Sequence, residues 1–252
     1  MIKIYGLVGS NKRNGTSYNL IITLINLIEK IFSSKGLEVT YKIDYVCDLD
    51  IKECVGCCNC FKSGECIIDD DMKVIKSNIL ESDMLVVISP VYLNQISGTL
   101  KKVLDRIAYW THLMPLIGKR GIILANSSFS GTQESIDYLE LILNHLGVSV
   151  DYNFKYIGKG FDVTEQYFAV DELEHYSEKF LNYDFEVDDR VKELFDNYSL
   201  VFGGLISSNK KFEKNNEIKF WKNNYLHKTV EEIYLENTTK LNREVLKNEN
   251  KK

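Results

Sequence analysis

Proline is almost missing from this chain: there are two among 252 residues, and neither they nor the 15 glycines gather into a linker-like stretch. A Pro- or Gly-rich hinge between two independent domains is therefore excluded. Internal repeats are absent as well, which removes solenoids and propellers. No apolar run approaches the roughly 20 residues that a membrane-spanning helix needs. Lys and Arg do not form an arm or stripe, and the formal net charge is −5, so neither nucleic acid nor an anionic membrane is expected as a partner. The opening MIKIYGLVGS has no basic start, long apolar core or cleavage site. A cytoplasmic protein is expected, and there thiols stay reduced. Six cysteines are too few for a disulfide scaffold, yet five of them lie within Glu53–Cys66.

The composition, 44% hydrophobic and 27% charged, is that of a folded globular protein. Apolar strand-like runs alternate with segments of helical period. Strands are expected at Ile2–Val8, Val39–Val46, Met84–Ile88, Gly121–Ala125 and Val148–Tyr156. Between them, Tyr18–Phe32 has helical character. Leu100, Val103, Leu104 and Ile107 mark one helix face, and Ile136, Leu139, Leu143 and Leu146 another. Five strands interleaved with helices predict an α/β fold, a doubly wound five-stranded parallel sheet. After about residue 157 the alternation stops. Glu165–Tyr183 and Asp188–Ser199 read as helices, Asn209–Asn216 as a loop and the last twenty or so residues as a frayed tail. One domain over 1–157 with a helical C-terminal extension over 158–252, not an independent domain, is the expected organisation.

Such sheets bind ligands beyond the carboxyl ends of their strands. Three loops fall there: Gly9–Ser17, Ser89–Asn94 and Asn126–Gly131. The first, GSNKRNGTSYNL, suits an anion. Backbone amides at a helix start attract negative charge, Gly15 allows close approach, Ser10, Thr16 and Ser17 offer hydroxyls, and Arg13 offers a charged donor. It is neither a Walker loop, since Gly15 precedes Thr16 where a Lys is required, nor a G-x-G-x-x-G fingerprint. The plainer alternative is a solvated loop in which Thr16 caps the helix. Ser97 and Gly98 read as a helix start. Asp69, Asp70 and Asp71 read as the acidic first turn of a helix. The four histidines are far apart in sequence and form no acid/base pair.

Cys54, Cys57, Cys60 and Cys66 are spaced C-x2-C-x2-C-x5-C. A compact overlapping run suits a cubane cluster, with Gly56 and Gly64 easing the turns. The last interval is longer than in the bacterial ferredoxin run, and Ile67 stands where that motif has proline. Structural zinc sites separate their C-x2-C pairs by a dozen or more residues, so zinc fits less well. A metal-free loop of reduced thiols, or a reversible disulfide, stays open. Cys47 and Cys58 fall outside the four-residue pattern.

Taken together, GSNKRNGTSYNL, CVGCCNCFKSGECIIDDDM and SPVYLNQISGTLKKVLDR, in that order after three strands, resemble the flavodoxin-like NAD(P)H-dependent FMN reductases, and among them the iron–sulfur flavoproteins. The resemblance covers roughly residues 1–156; FWKNNYLHK (Phe220–Lys228) is a weaker match to a tail segment of some relatives. It implies that Ser10, Arg13, Gly15, Thr16 and Ser17 hold the FMN phosphate. Pro90, Val91, Tyr92, Leu93 and Asn94 line the isoalloxazine ring, and Ser127, Ser128 and Gly131 complete the pocket. Cys54, Cys57, Cys60 and Cys66 match the ligands of a [4Fe-4S] cluster. The implied activity is an FMN-dependent oxidoreductase drawing electrons from NAD(P)H or ferredoxin and passing them to a small-molecule or protein acceptor, in a homo-oligomer. A non-catalytic flavodoxin-like carrier and a metal-free thiol switch are the alternatives.

Overall fold

The computed structural model describes residues 1–158, 165–182, 184–208 and 215–238. Ile2–Val8 forms β1, buried except at Lys3, as an apolar run covered on both faces must be. Thr16–Ser34 forms α1, whose buried stripe includes Leu20, Leu24, Ile28 and Phe32. Then follow β2 (Val39–Tyr45), the short helix α2 (Asn59–Ser63), α3 (Met72–Glu81), β3 (Met84–Tyr92) and a two-residue β4 (Gln95–Ile96). The remainder comprises α4 (Gly98–Arg106), α5 (Trp110–Leu113), β5 (Arg120–Ser127), α6 (Thr132–Leu146), β6 (Ser149–Ile157), α7 (Val170–Asn182), α8 (Asp189–Ser208) and α9 (Asn216–Asn224), with a further helical segment, α10, over 230–238.

The sheet order is β2-β1-β3-β5-β6, with all five strands parallel. The five expected strands are thus present, and β4 joins as a sixth, antiparallel to β3. The edge strand β6 alternates half-buried and exposed positions, whereas the central β3 is buried from Met84 to Pro90. One face is covered by a core that includes Met72, Ile75, Leu100, Val103, Leu139 and Leu143. The other is covered by α1 and α7, where Phe32 meets Phe180 at 5.4 Å between ring centroids. The strand order reverses between β1 and β3, which opens a crevice at their carboxyl ends.

The helical extension forms a third cluster. Phe195, Phe202, Trp221 and Tyr225 pack with Met114 and Ile117, which belong to the stretch between α5 and β5. Trp221 Nε1 donates to the His112 carbonyl at 2.8 Å, and the Tyr225 hydroxyl donates to that of Met114 at 2.9 Å.

Several boundaries differ from expectation. β3 runs past Ile88 to Tyr92 because Val91 and Tyr92 pair with β4. Glu165–Tyr167 is a tight 3-10 turn, and the helix proper begins at Val170. α8 passes Ser199 and continues to Ser208. Position 183, residues 209–214 of the expected loop and residues 239–252 of the expected tail lie outside the described residues. The Asp69–Asp71 expectation is corrected: α3 starts at Met72 with no acidic residue in its first turn, and Asp70 is spent on a buried ion pair with Arg106.

Candidate functional site

At the carboxyl end of β1 the chain turns through Gly9–Gly15 into α1. Gly15, not Thr16, is the N-cap residue; no side chain caps the helix and no acidic residue occupies its first turn. The positive end of a 19-residue helix is therefore not offset by a local carboxylate. Ser10 is turned into its own loop, its Oγ accepting from the Lys12 amide at 3.1 Å. Ser17 Oγ donates to Asn126 Oδ1 at 2.7 Å, fastening the start of α1 to the end of β5. The exposed Arg13 does not point at the loop; its Nε donates to Asp48 at 2.8 Å. Cys47 lies beside that pair, its thiol donating to Asp48 Oδ1 at 3.4 Å, and burial, helped by Asp48, pushes its pKa up.

The second loop is a tight hairpin. Val91 pairs with Ile96 and Tyr92 with Gln95, leaving Leu93 and Asn94 at the turn, with φ of 50° and 57°. Two left-handed residues in a two-residue loop are the I′ turn that matches strand twist. Leucine rarely adopts that conformation, and Leu93 is 101% exposed. The hairpin is fixed at its base, where Ser89 Oγ accepts from the Ser97 amide at 2.9 Å.

The three loops are tied together. Gly9 donates its amide to the Ile88 carbonyl at 2.9 Å and accepts from the Ser97 hydroxyl. A Cβ on Gly9 would sit 2.6 Å from Leu100 Cβ, so only glycine allows this approach. Ser97 also caps α4, accepting from the Leu100 amide at 3.1 Å; its expected role as a helix start holds, but it serves the rim as well. Thr99 Oγ1 donates to Asn11 Oδ1 at 2.8 Å. In the third loop, Ser127 Oγ accepts from the amides of Phe129 and Ser130, both at 3.2 Å, while Ser128 is exposed. Gly131, at φ 83°, lies so close to the hairpin that a Cβ would come within 2.6 Å of Val91 Cγ1 and 2.8 Å of Asn94 Cα. Ser97, Thr99, Asn11 and Asn126 are not among the residues expected to bind the flavin. Asn11 and Asn126 do lie in the expected strand-end loops, and Ser97 is a hydroxyl residue opening an apolar-periodic helix.

The result is a continuous rim. At one end are the uncapped helix start and the hydroxyls of Thr16 and Ser17. At the other, three large side chains stand in solvent: Tyr92, Leu93 and Phe129, at 52%, 101% and 74% exposure. A ligand with an anionic end and a flat apolar end fits this donor set.

The cysteine loop lies next to the rim. All six cysteines are free; Cys60 and Cys66 are half-buried, and Cys54, Cys57 and Cys58 are exposed. Positive φ at Gly56, Cys58 and Gly64 shapes the turns on either side of α2. Burial pushes the Cys60 thiol up, and the nearby Cys66 and Cys54 thiols add to it. Among the described residues, no three His, Cys, Asp or Glu side chains are gathered to hold a metal. As placed, the four sulfurs at cluster spacing do not form a four-iron cradle. Phe61 of α2 packs on His112 at 5.1 Å between ring centroids, and His112 Nδ1 is 2.7 Å from Glu217 of α9, so the extension reaches the underside of the loop.

A parallel sheet of order β2-β1-β3-β5-β6 with helices on both faces and a crevice at the β1/β3 switch point is a flavodoxin-like fold. The sequence model of the family described as NADPH-dependent FMN reductase matches residues 2–160. The chain belongs to that family. Among curated proteins it is similar to an iron–sulfur flavoprotein of Archaeoglobus fulgidus, 28% identical over 148 residues, 58% of this chain and 64% of the relative. It is also similar to an iron–sulfur flavoprotein of Methanocaldococcus jannaschii, 28% identical over 53% of this chain and 67% of the relative. The chain thus spans less than two thirds of the length of the first of these. Among solved structures, RosB with a bound 8-demethyl-8-formylriboflavin-5'-phosphate intermediate shares the fold, with a TM-score of 0.57 and 18% identity over 84% of this chain and 90% of that one. An NADH:FMN oxidoreductase in its apo form does too, with a TM-score of 0.51 and 22% identity over 71% and 88% of the two chains.

Proposed function

We propose that the chain is an FMN-dependent oxidoreductase. One observation carries this reading: the rim joins an uncapped helix N-terminus to an exposed apolar wall over a distance spanned by three mutually fastened loops. The first-turn amides of α1, with Ser10, Gly15, Thr16 and Ser17, hold the phosphate. Arg13 adds a charged contact by turning from Asp48. Pro90, Val91, Tyr92, Leu93 and Asn94 line one side of the ring, and Ser127, Ser128 and Gly131 close the other. Bound FMN supplies the redox chemistry, taking a hydride or single electrons; the protein orients it and shields it from water. NAD(P)H is the donor that the family description favours, with ferredoxin as the other candidate, and the acceptor is a small molecule or a protein. The exposed Tyr92, Leu93 and Phe129 are surfaces that a second copy of the chain covers in a homo-oligomer. Six free thiols suit a reducing cytosol, and no described helix is long and apolar enough to cross a membrane. We keep residues 1–157 as the flavin domain and 158–252 as its extension.

The cysteine spacing and the relatives' names support a [4Fe-4S] cluster on Cys54, Cys57, Cys60 and Cys66. The ungathered sulfurs do not, and no electron step is assigned to it here. The test is direct. Purified protein is expected to release FMN on denaturation and to oxidise NAD(P)H with a quinone or free flavin as acceptor. Colourless protein that takes up no added FMN sinks the reading. FMN without NAD(P)H turnover turns the enzyme into a carrier.

A further inference from the structure

Asp70 and Arg106 close two of the sequence motifs, DDDM and LDR, yet neither touches the flavin rim. Their side chains are 0% and 1% exposed. Arg106 Nη2 donates to Asp70 Oδ1 at 3.0 Å, and Nη1 donates to Oδ2. Each nitrogen also reaches a main-chain carbonyl: Nη1 that of Lys52 at 2.7 Å and Nη2 that of Ile68 at 3.3 Å. Asp70 in turn accepts from the amides of Lys52 at 3.0 Å and Met72 at 3.1 Å. Both ends of the cysteine loop therefore meet on one ion pair. Next to it, the Asp71 amide donates to the Asp50 carbonyl at 3.1 Å, and Lys102 donates to that of Ile51 at 3.1 Å.

A buried ion pair is worth keeping only when its remaining donors are satisfied. Here one is not: Arg106 Nε is buried without a hydrogen-bond partner. We propose that Arg106 is the positioning residue of the cysteine loop: with Asp70 it straps the Lys52 and Ile68 ends together and so sets where Cys66, two residues before Ile68, enters the neck. The neck is fixed, α2 rests on His112 through Phe61, and Cys54, Cys57 and Cys58 stand in solvent. The inference goes beyond the flavin reading and requires neither FMN nor iron.

The test separates a strap from a mere fold-stabilising pair. Replacing both partners with apolar residues of similar size, Arg106→Met with Asp70→Leu, removes the strap without leaving a buried charge. In the full-length protein this variant is expected to stay folded, while the amides of residues 52–68 exchange with deuterium about tenfold faster or more. Cys66 alkylation, followed by peptide mass spectrometry after chelation, is expected to rise toward the rate of Cys57. Arg106→Lys keeps the charge, but one ammonium cannot span two carbonyls and a carboxylate, so it is expected to show the same acceleration. Parent-like exchange and Cys66 labelling in both variants overturn the proposal. So does global unfolding of both, read from the near-UV circular dichroism, because the pair then supports the fold rather than the loop. Absence of FMN from the parent protein refutes the flavin reading and leaves these readouts intact.

Discussion

The flavin rim is fastened loop to loop, whereas the cysteine loop is strapped at its ends and packed through Phe61, with three of its thiols left in solvent. In the rim, Gly9, Ser97 and Gly131 bring three loops into contact close enough to exclude a Cβ at two of those positions. In the cysteine loop, Arg106 holds Lys52 and Ile68, and between them the thiols of Cys54, Cys57 and Cys58 stand exposed. The difference teaches where ordering cost falls. A rigid rim loses little conformational freedom when a flat, rigid ligand arrives. A loop whose thiols stand in solvent must order them when they are used.

The largest expected effect comes from breaking the rim. Gly131→Ala places a Cβ against Val91 and Asn94 at a left-handed backbone position. The strain and the forced shift should cost about 2–4 kcal/mol of stability. Urea unfolding measures the cost, and FMN titration should show weakened binding; parent-like values for both would mean that the loops are not in fixed contact. A smaller effect of opposite sign is expected at the hairpin. Leu93→Asn puts a residue that tolerates φ of 50° at the turn and should stabilise the protein by about 0.5–1 kcal/mol, raising the thermal midpoint. If Leu93 covers the ring, the same variant binds FMN more weakly, so the two readouts move apart. The smallest effect is expected in the loop body. Cys57→Ser changes an exposed side chain and should shift stability by less than about 0.5 kcal/mol with FMN content unchanged. A large loss there would show that the body, not just the neck, is part of the fold.

The sheet was legible because central strands buried on both faces carry unbroken apolar runs, and the helices between them show their 3.6-residue stripe. What escaped were interactions across long stretches of chain. Asp70 looks like a helix-start residue because its partner Arg106 lies 36 positions away and nothing local marks the pair. β4 was missed because its turn is Leu93–Asn94 rather than Asn–Gly, so the strongest hairpin signal is absent. α8 was ended early at Ser199; Gly203 and Gly204 lower helix propensity just beyond, yet the packing of Phe202, Leu205 and Ile206 on the extension's aromatic cluster carries the helix through. The loops of the site were legible from their place after strand ends. Their fastening was not: Asn126 and Ser17 are 109 residues apart.

The strap has a consequence for how this chain could have diverged. With Lys52 and Ile68 pinned to one guanidinium, the segment between them leaves and rejoins the fold at one point, and a substitute for it has to match the packing of Phe61 on His112. Each doubling of such a segment costs only about 0.6 kcal/mol in closure entropy. An insert with other side chains, or a longer one, would enter at this same neck, between Asp70 and Arg106 as its fixed walls.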